Sequence, residues 1–315
     1  MKNATLRKAK PIVPLAAALL LAVTNSQLSI AFGQGSLTPP GAPAPTMKSL
    51  DQIEARTIVN AANTPGDSGN LFIISQPGSY YLTTNLFGVS SKNGIEIVTN
   101  RVTLDLNGFA LEGVTNSLSG IALPNACTNV TIQNGTISDW GGYGVVLTGS
   151  GLAINIVFER LNVSTCSDDG IYLNGFGVVR NCNCQNNYSG IVIMSGTVSG
   201  CTADNNSNSG IVIEGNGSKV IGNTCIGNNK TTTGLVAGIL IYGSSNNRIE
   251  DNYVAACGYA GIQVNGGGTN NLIIKNSVFG SGANNYIIPA SQIVGPLITT
   301  SGTITNLNPW ANFSF

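Results

Sequence analysis

Histidine is missing: none of the 315 residues is His. That excludes every Ser-His-Asp triad, every imidazole metal ligand and the usual general base near neutral pH. Charge is scarce too, at 9% Asp, Glu, Lys and Arg against roughly 25% in an average soluble protein. The 14 basic residues balance the 14 acidic ones, so the chain lacks the basic surface that a nucleic acid partner demands. Aromatic residues make up only 6%. No part of the repeat region described below carries a 3.6-residue apolar period of useful length, so helices are expected to be nearly absent there. The sequence is filled instead by 40 Gly and 39 Asn, residues that favour turns.

Residues 1–33 have the layout of a secretory signal: a basic start, an apolar core from Ile12 to Val23, and small residues around Ala31 and Gly33. The apolar run is shorter than the roughly 20 residues a membrane helix needs. The expectation is a cleaved leader and a secreted, extracellular or cell-envelope protein with no transmembrane span. Removing Lys2, Arg7, Lys8 and Lys10 with the leader leaves the remainder at about −4. Residues 34–46 are Pro-rich and form an extended linker. Seven Cys are present, an odd number, and their spacing matches neither a zinc site nor a thioredoxin motif. No metal site is expected from them.

Self-similarity is the strongest signal. Gly, then Ile or Val, any residue, then an aliphatic recurs at Gly94, Gly120, Gly144, Gly170, Gly190, Gly210, Gly238 and Gly261, in steps of 26, 24, 26, 20, 20, 28 and 23 residues. A second phrase follows, with an aliphatic, two residues, often Asn or Cys, one residue, and a small apolar residue. Copies are Ile249 to Asn252 to Val254, Ile273 to Asn276 to Val278, and Val220 to Asn223 to Cys225. Both alternate with period two, the mark of a strand. A unit of about 24 residues without a helix cannot bury its own apolar face, so the copies must stack. The fold class predicted is all-β: a parallel solenoid of about nine to ten coils over residues 87–288. A cap and entry over 47–86 precede it, and a tail over 289–315 is expected to leave the last coil and pack back along it. Asn223, Asn252 and Asn276 fall in one column and should form an amide ladder. Cys182 and Cys201 share a column in neighbouring coils, where they can pack as small apolar residues or form a disulfide.

Those phrases, with Val102-Thr103-Leu104-Asp105-Leu106-Asn107-Gly108, resemble the right-handed parallel β-helix family, the pectate-lyase-like superfamily of carbohydrate-active and carbohydrate-binding proteins. The resemblance covers about residues 71–285. Gln76-Pro77-Gly78-Ser79-Tyr80-Tyr81-Leu82 and Asn308-Pro309-Trp310-Ala311-Asn312-Phe313 are similar to the entry and tail of secreted bacterial members of unassigned function. The likeness implies a right-handed coil. For an enzyme of this kind it implies either an Arg or Lys base beside calcium held by carboxylates, or a cluster of Asp. Asp168 and Asp169 are the only adjacent Asp pair and resemble the paired Asp of polygalacturonases, but the family's Asn-Thr-Asp, Gly-His-Gly and Arg-Ile-Lys are missing. Arg160 and Arg180, on adjacent coils, are the candidates for a lyase-type base and anion clamp.

Aligning the turns on the repeat Gly puts Trp140, Tyr143, Asp168, Asp169, Tyr172 and Tyr188 on three successive coils. Flat rings beside carboxylates suit a glycan. The outward column of the first strand is Glu96, Ala122, Val146, Tyr172, Val192, Val212, Leu240 and Gln263. So long an apolar stripe should be covered, by the tail or by a second copy meeting Val146, Val192, Val212 and Leu240. Glu159, Arg160, Arg180, Glu250, Asp251 and Lys275 are expected as solvated surface charges. The function expected is polysaccharide binding without turnover, or a structural role. The alternatives are a polysaccharide lyase, hydrolase or epimerase working at Asp168 and Asp169, and a self-associating envelope or matrix protein. No cofactor is expected, with calcium the one ion left open.

Overall fold

The computed structural model describes residues 54–149, 153–229, 234–282 and 284–315. The leader, the linker and the first residues of the expected cap lie outside them. Among the described residues there are strands and turns and no helix, hence none long and apolar enough to cross a membrane. Residues 54–315 form one compact unit in which three columns of parallel strands wind as a solenoid of ten coils, some strands, such as Thr128–Ser138 and Ile171–Arg180, running through two columns.

The first column runs from Asn70–Ile74 through Asn93–Ile97 and Ile121–Leu123 to Ala260–Asn265 and Asn284–Ile287. Its register stacks Phe72, Ile95, Ile121, Val145, Ile171, Ile191, Ile211, Ile239, Ile262 and Tyr286 one per coil. Eight of those coils begin with the repeat Gly. Leu71 and Asn285 hold the equivalent place in the two outer ones, so the Gly phrase passes over both ends, and the first coil opens inside the segment expected to form the cap. The repeat Gly is explained by close approach. A Cβ on Gly94, Gly144, Gly190 or Gly210 would stand 2.5 to 2.6 Å from the carbonyl oxygen of the corresponding Gly one coil on, closer than any side chain allows.

Aliphatic side chains fill the inside and are fully buried. Asn serves the turns in two ways. At the turn between the second and third columns one residue per coil takes a left-handed φ, as at Asn134, Arg160, Asn181, Gly200, Gly222, Asp251 and Lys275; Asn and Gly bear this at least cost. The next residue carries the expected amide ladder. Main-chain N–H groups donate to side-chain oxygens from Cys201 to Asn223, Asn223 to Asn252, Asn252 to Asn276 and Asn276 to Asn312, at 2.9 to 3.1 Å. Two more ladders run through Asn187, Asn206 and Asn228 and through Asn247, Asn271 and Gln292.

The tail extends the coil instead of packing back along it. Ile293–Val294 pairs with Leu272 and Ile273, and Asn312–Ser314 lies on Ser277 and Val278. Gln292 and Asn312 supply the last acceptors of two ladders, so without these residues the main-chain N–H groups of Asn271 and Asn276 would lose their acceptors. At the other end Arg56 lies over the Tyr81 ring at 4.4 Å and pairs with Asp105 at 3.3 Å.

Candidate functional site

The turn from the third column into the first stacks Leu118, Gly142, Asp168, Tyr188 and Asn208 through main-chain hydrogen bonds of 2.7 to 3.1 Å. The next position on each coil holds Tyr143, Asp169 and Ser189. Asp169 is 7% exposed, and its Oδ1 accepts the Ser189 main-chain N–H at 3.1 Å. Burial pushes its carboxyl up to about 6; the Ser189 hydrogen bond works the other way, and Asp168 and Glu214 add repulsion. Tyr143, its ring 5.7 Å from that of Tyr172, is pushed up to about 12 by burial and by the negative field of Asp168 and Asp169. Glu214 is raised by burial as well.

An open groove of about 220 Å³ is lined by Asp169, Tyr172, Tyr188, Val192, Glu214 and Tyr242, among others; Tyr143 and Asp168 are not part of its lining. It joins the acidic-aromatic turn to the outward stripe of the first column, which the sequence treats as separate features. Sequence reasoning missed Glu214 and Tyr242. Both stand four residues after a repeat Gly, Gly210 and Gly238, on successive coils; that shared offset was the available signal.

Trp140 does not belong to this patch. Its indole is 1% exposed and donates its N–H to the Leu111 carbonyl at 3.2 Å. It fits because Gly88, Gly94 and Gly120 have no Cβ, which would stand 2.9 to 3.1 Å from the ring. Arg160 and Arg180 are not brought to the Asp pair either. They flank Glu159 at the turn between the second and third columns, Arg160 at 2.7 Å and Arg180 in a shorter contact. Glu159 and Glu250 are buried carboxylates, contrary to the expected solvated pairs; Glu250 is held at about 2 by hydrogen bonds from Arg248 and Lys275. The stripe residues Val146, Val192, Val212 and Leu240 are at most 6% exposed, and the last three pack with Ala237, Ala260, Tyr172, Tyr259 and Ile287. None of these belongs to the 289–315 tail, one of the two covers expected for the stripe. Among the described residues no group of three or more Cys, Asp or Glu could hold a metal ion.

A solenoid of parallel coils with amide ladders at its turns defines a β-helix protein. The chain belongs to the family described as the right handed beta helix region, whose model matches residues 69–225 and 155–308. No curated protein matches the sequence. Among solved structures it is similar to the DFA-IIIase from Arthrobacter chlorophenolicus A6 in complex with GF2, at 15% identity over 76% of this chain and 68% of that one, with a TM-score of 0.51. The lidless form of that enzyme gives 13% identity, 78% and 70% coverage, and again 0.51. The Dettilon tailspike protein gives 17% identity, 78% and 60% coverage, and 0.46. At such identities the likeness shows the fold alone.

Proposed function

We propose that the protein is an exported, glycan-binding β-helix that holds polysaccharide at the groove of Asp169, Tyr172, Tyr188, Glu214 and Tyr242 without turning it over. The observation that carries this reading is the meeting, in one open groove, of three Tyr with two carboxylates. Tyr rings offer apolar faces to the C–H side of a sugar, while carboxylates accept directed hydrogen bonds from its hydroxyls. No Lys or Arg lines the groove among the described residues, so neutral or amino sugars suit it better than polyuronates, which the carboxylates repel.

A second reading has its own support. Asp169, a carboxyl held near 6 by burial, has the character of a general acid, which fits a polysaccharide hydrolase, lyase or epimerase. One experiment separates the two. The purified chain is incubated with neutral, amino and acidic polysaccharides, with and without calcium, following retention, chain length and unsaturated products. Retention without new ends supports the binding protein. Cleavage or unsaturation that vanishes in the Asp168→Asn, Asp169→Asn double variant replaces it with the enzyme. Neither retention nor turnover leaves a self-associating structural role.

A further inference from the structure

We propose that Cys182 and Cys201 form a disulfide that staples two neighbouring coils in the middle of the solenoid. The strands around them are in register, Arg180 opposite Ser199 and Asn183 opposite Thr202, which sets Cys182 directly against Cys201. The Thr202 main-chain N–H donates to the Cys182 carbonyl at 2.9 Å, and each thiol donates to a carbonyl on the preceding coil, Cys182 to Phe158 and Cys201 to Val179, both at 3.6 Å. Adjacent parallel strands lie about 4.8 Å apart, inside the Cα separation a disulfide spans.

The column adds a reason. From Asn223 onward each coil is tied to the next by an amide, but the ladder ends at the Cys201 main chain. At Cys182 and Cys201 no side-chain amide crosses the gap, and a covalent bond there continues the same tie. No other pair has this placement. Cys184 and Cys225 are separated by Ala203 on the coil between them, Cys166 meets Asn187, and Cys257 neighbours Asn228. All seven thiols are free in this structure.

The oxidant is an external disulfide such as oxidised glutathione. Either thiol can attack first, and the balance is the same when Cys201 leads. Its thiolate takes one sulfur of the external disulfide and releases one thiol. Cys182 then gives up its proton and attacks the Cys201 sulfur of the mixed disulfide, releasing the second thiol. Two protein thiols are oxidised, one external disulfide is reduced, and both protons end on the departing thiols. Both sulfurs are buried, with the residues 2% and 1% exposed, so exchange belongs to folding, before the coils close over them.

The test refolds the full reduced chain in a mixture of oxidised and reduced glutathione, blocks free thiols, and maps the peptides. The result expected is one bridge, Cys182 to Cys201, with five blocked Cys and a thermal midpoint several degrees above that of the Cys182→Ser, Cys201→Ser variant. Seven blocked Cys in a chain with full β-sheet signal overturns the proposal, as does a bridge at any other pair. Where refolding yields no folded chain, the same mapping is made on protein expressed into a bacterial periplasm, with the same two outcomes.

Discussion

The side-chain oxygen of Asn276 accepts both the main-chain and the side-chain N–H of Asn252, at 3.1 and 2.9 Å, across one coil of the solenoid. Asn252 repeats the pattern, accepting the main-chain and side-chain N–H of Asn223 at 2.9 and 3.0 Å. Replacing Asn252 by Ala strands the main-chain N–H of Asn223 and one of its two side-chain N–H groups, the other staying on the Val198 carbonyl. The expected loss is about 2–4 kcal/mol, read from urea unfolding. A loss below about 0.5 kcal/mol would mean that water replaces the ladder.

Asp169 makes stability depend on pH. Its folded value of about 6 lies above the ordinary 3.8, so the folded state prefers the neutral acid. The stability it contributes is complete below about pH 4 and is lost as pH rises through about 6. Relative to Asp169→Asn, the parent chain should lose on the order of 2–3 kcal/mol between pH 4 and pH 7. Parallel unfolding curves for the two proteins across that range would show that Asp169 is hydrated.

The repeat glycines are expected to tolerate no side chain, for reasons of space. Gly190→Ala places a methyl 2.6 Å from the Gly210 carbonyl oxygen and should cost about 2 kcal/mol or more. Gly217→Ala is the comparison, since its φ of 71° is strained for Ala but nothing lies within 4 Å, and about 1 kcal/mol is expected. Thermal unfolding ranks the two; the reverse order would assign the repeat Gly to chain flexibility.

Trp140 and Tyr188 should separate folding from binding. Trp140→Ala empties a core site and is expected to cost about 3–5 kcal/mol. Tyr188, half exposed at the groove, can be truncated with little loss of stability. On whichever polysaccharide the chain retains, Tyr188→Ala should weaken retention about five-fold, the equivalent of roughly 1 kcal/mol of ring contact. Unchanged retention in Tyr188→Ala would move the glycan away from this groove.

Columns were legible wherever one residue type recurs at a fixed offset. Gly94 to Gly261 and the row Asn223, Asn252 and Asn276 are such cases, because in a stacked coil every rung meets its own kind. The ends were not legible: Leu71 and Asn285 perform the repeat Gly's part without being Gly, and Gln292 and Asn312 join the ladders from a segment with no repeat phrase. Within the site, the turn offset located Asp169, Tyr172 and Tyr188, with Tyr143 and Asp168 on the same turns outside the groove lining. Trp140 shares their stretch of chain yet turns inward, since the space it fills is made by Gly88, Gly94 and Gly120 on earlier coils.

By itself the sequence determined the coil, its approximate number of turns and the residues that stack, because period-two patterning and a recurring Gly are local and need only count along the chain. Only the tertiary structure decided which side chains share a groove. Asp169 and Glu214 face one space although 45 positions separate them, and Arg160 meets Glu159 instead of the Asp pair eight positions on. Winding places residues by their angle around the coil, and turns of unequal length make that angle a property of the folded chain.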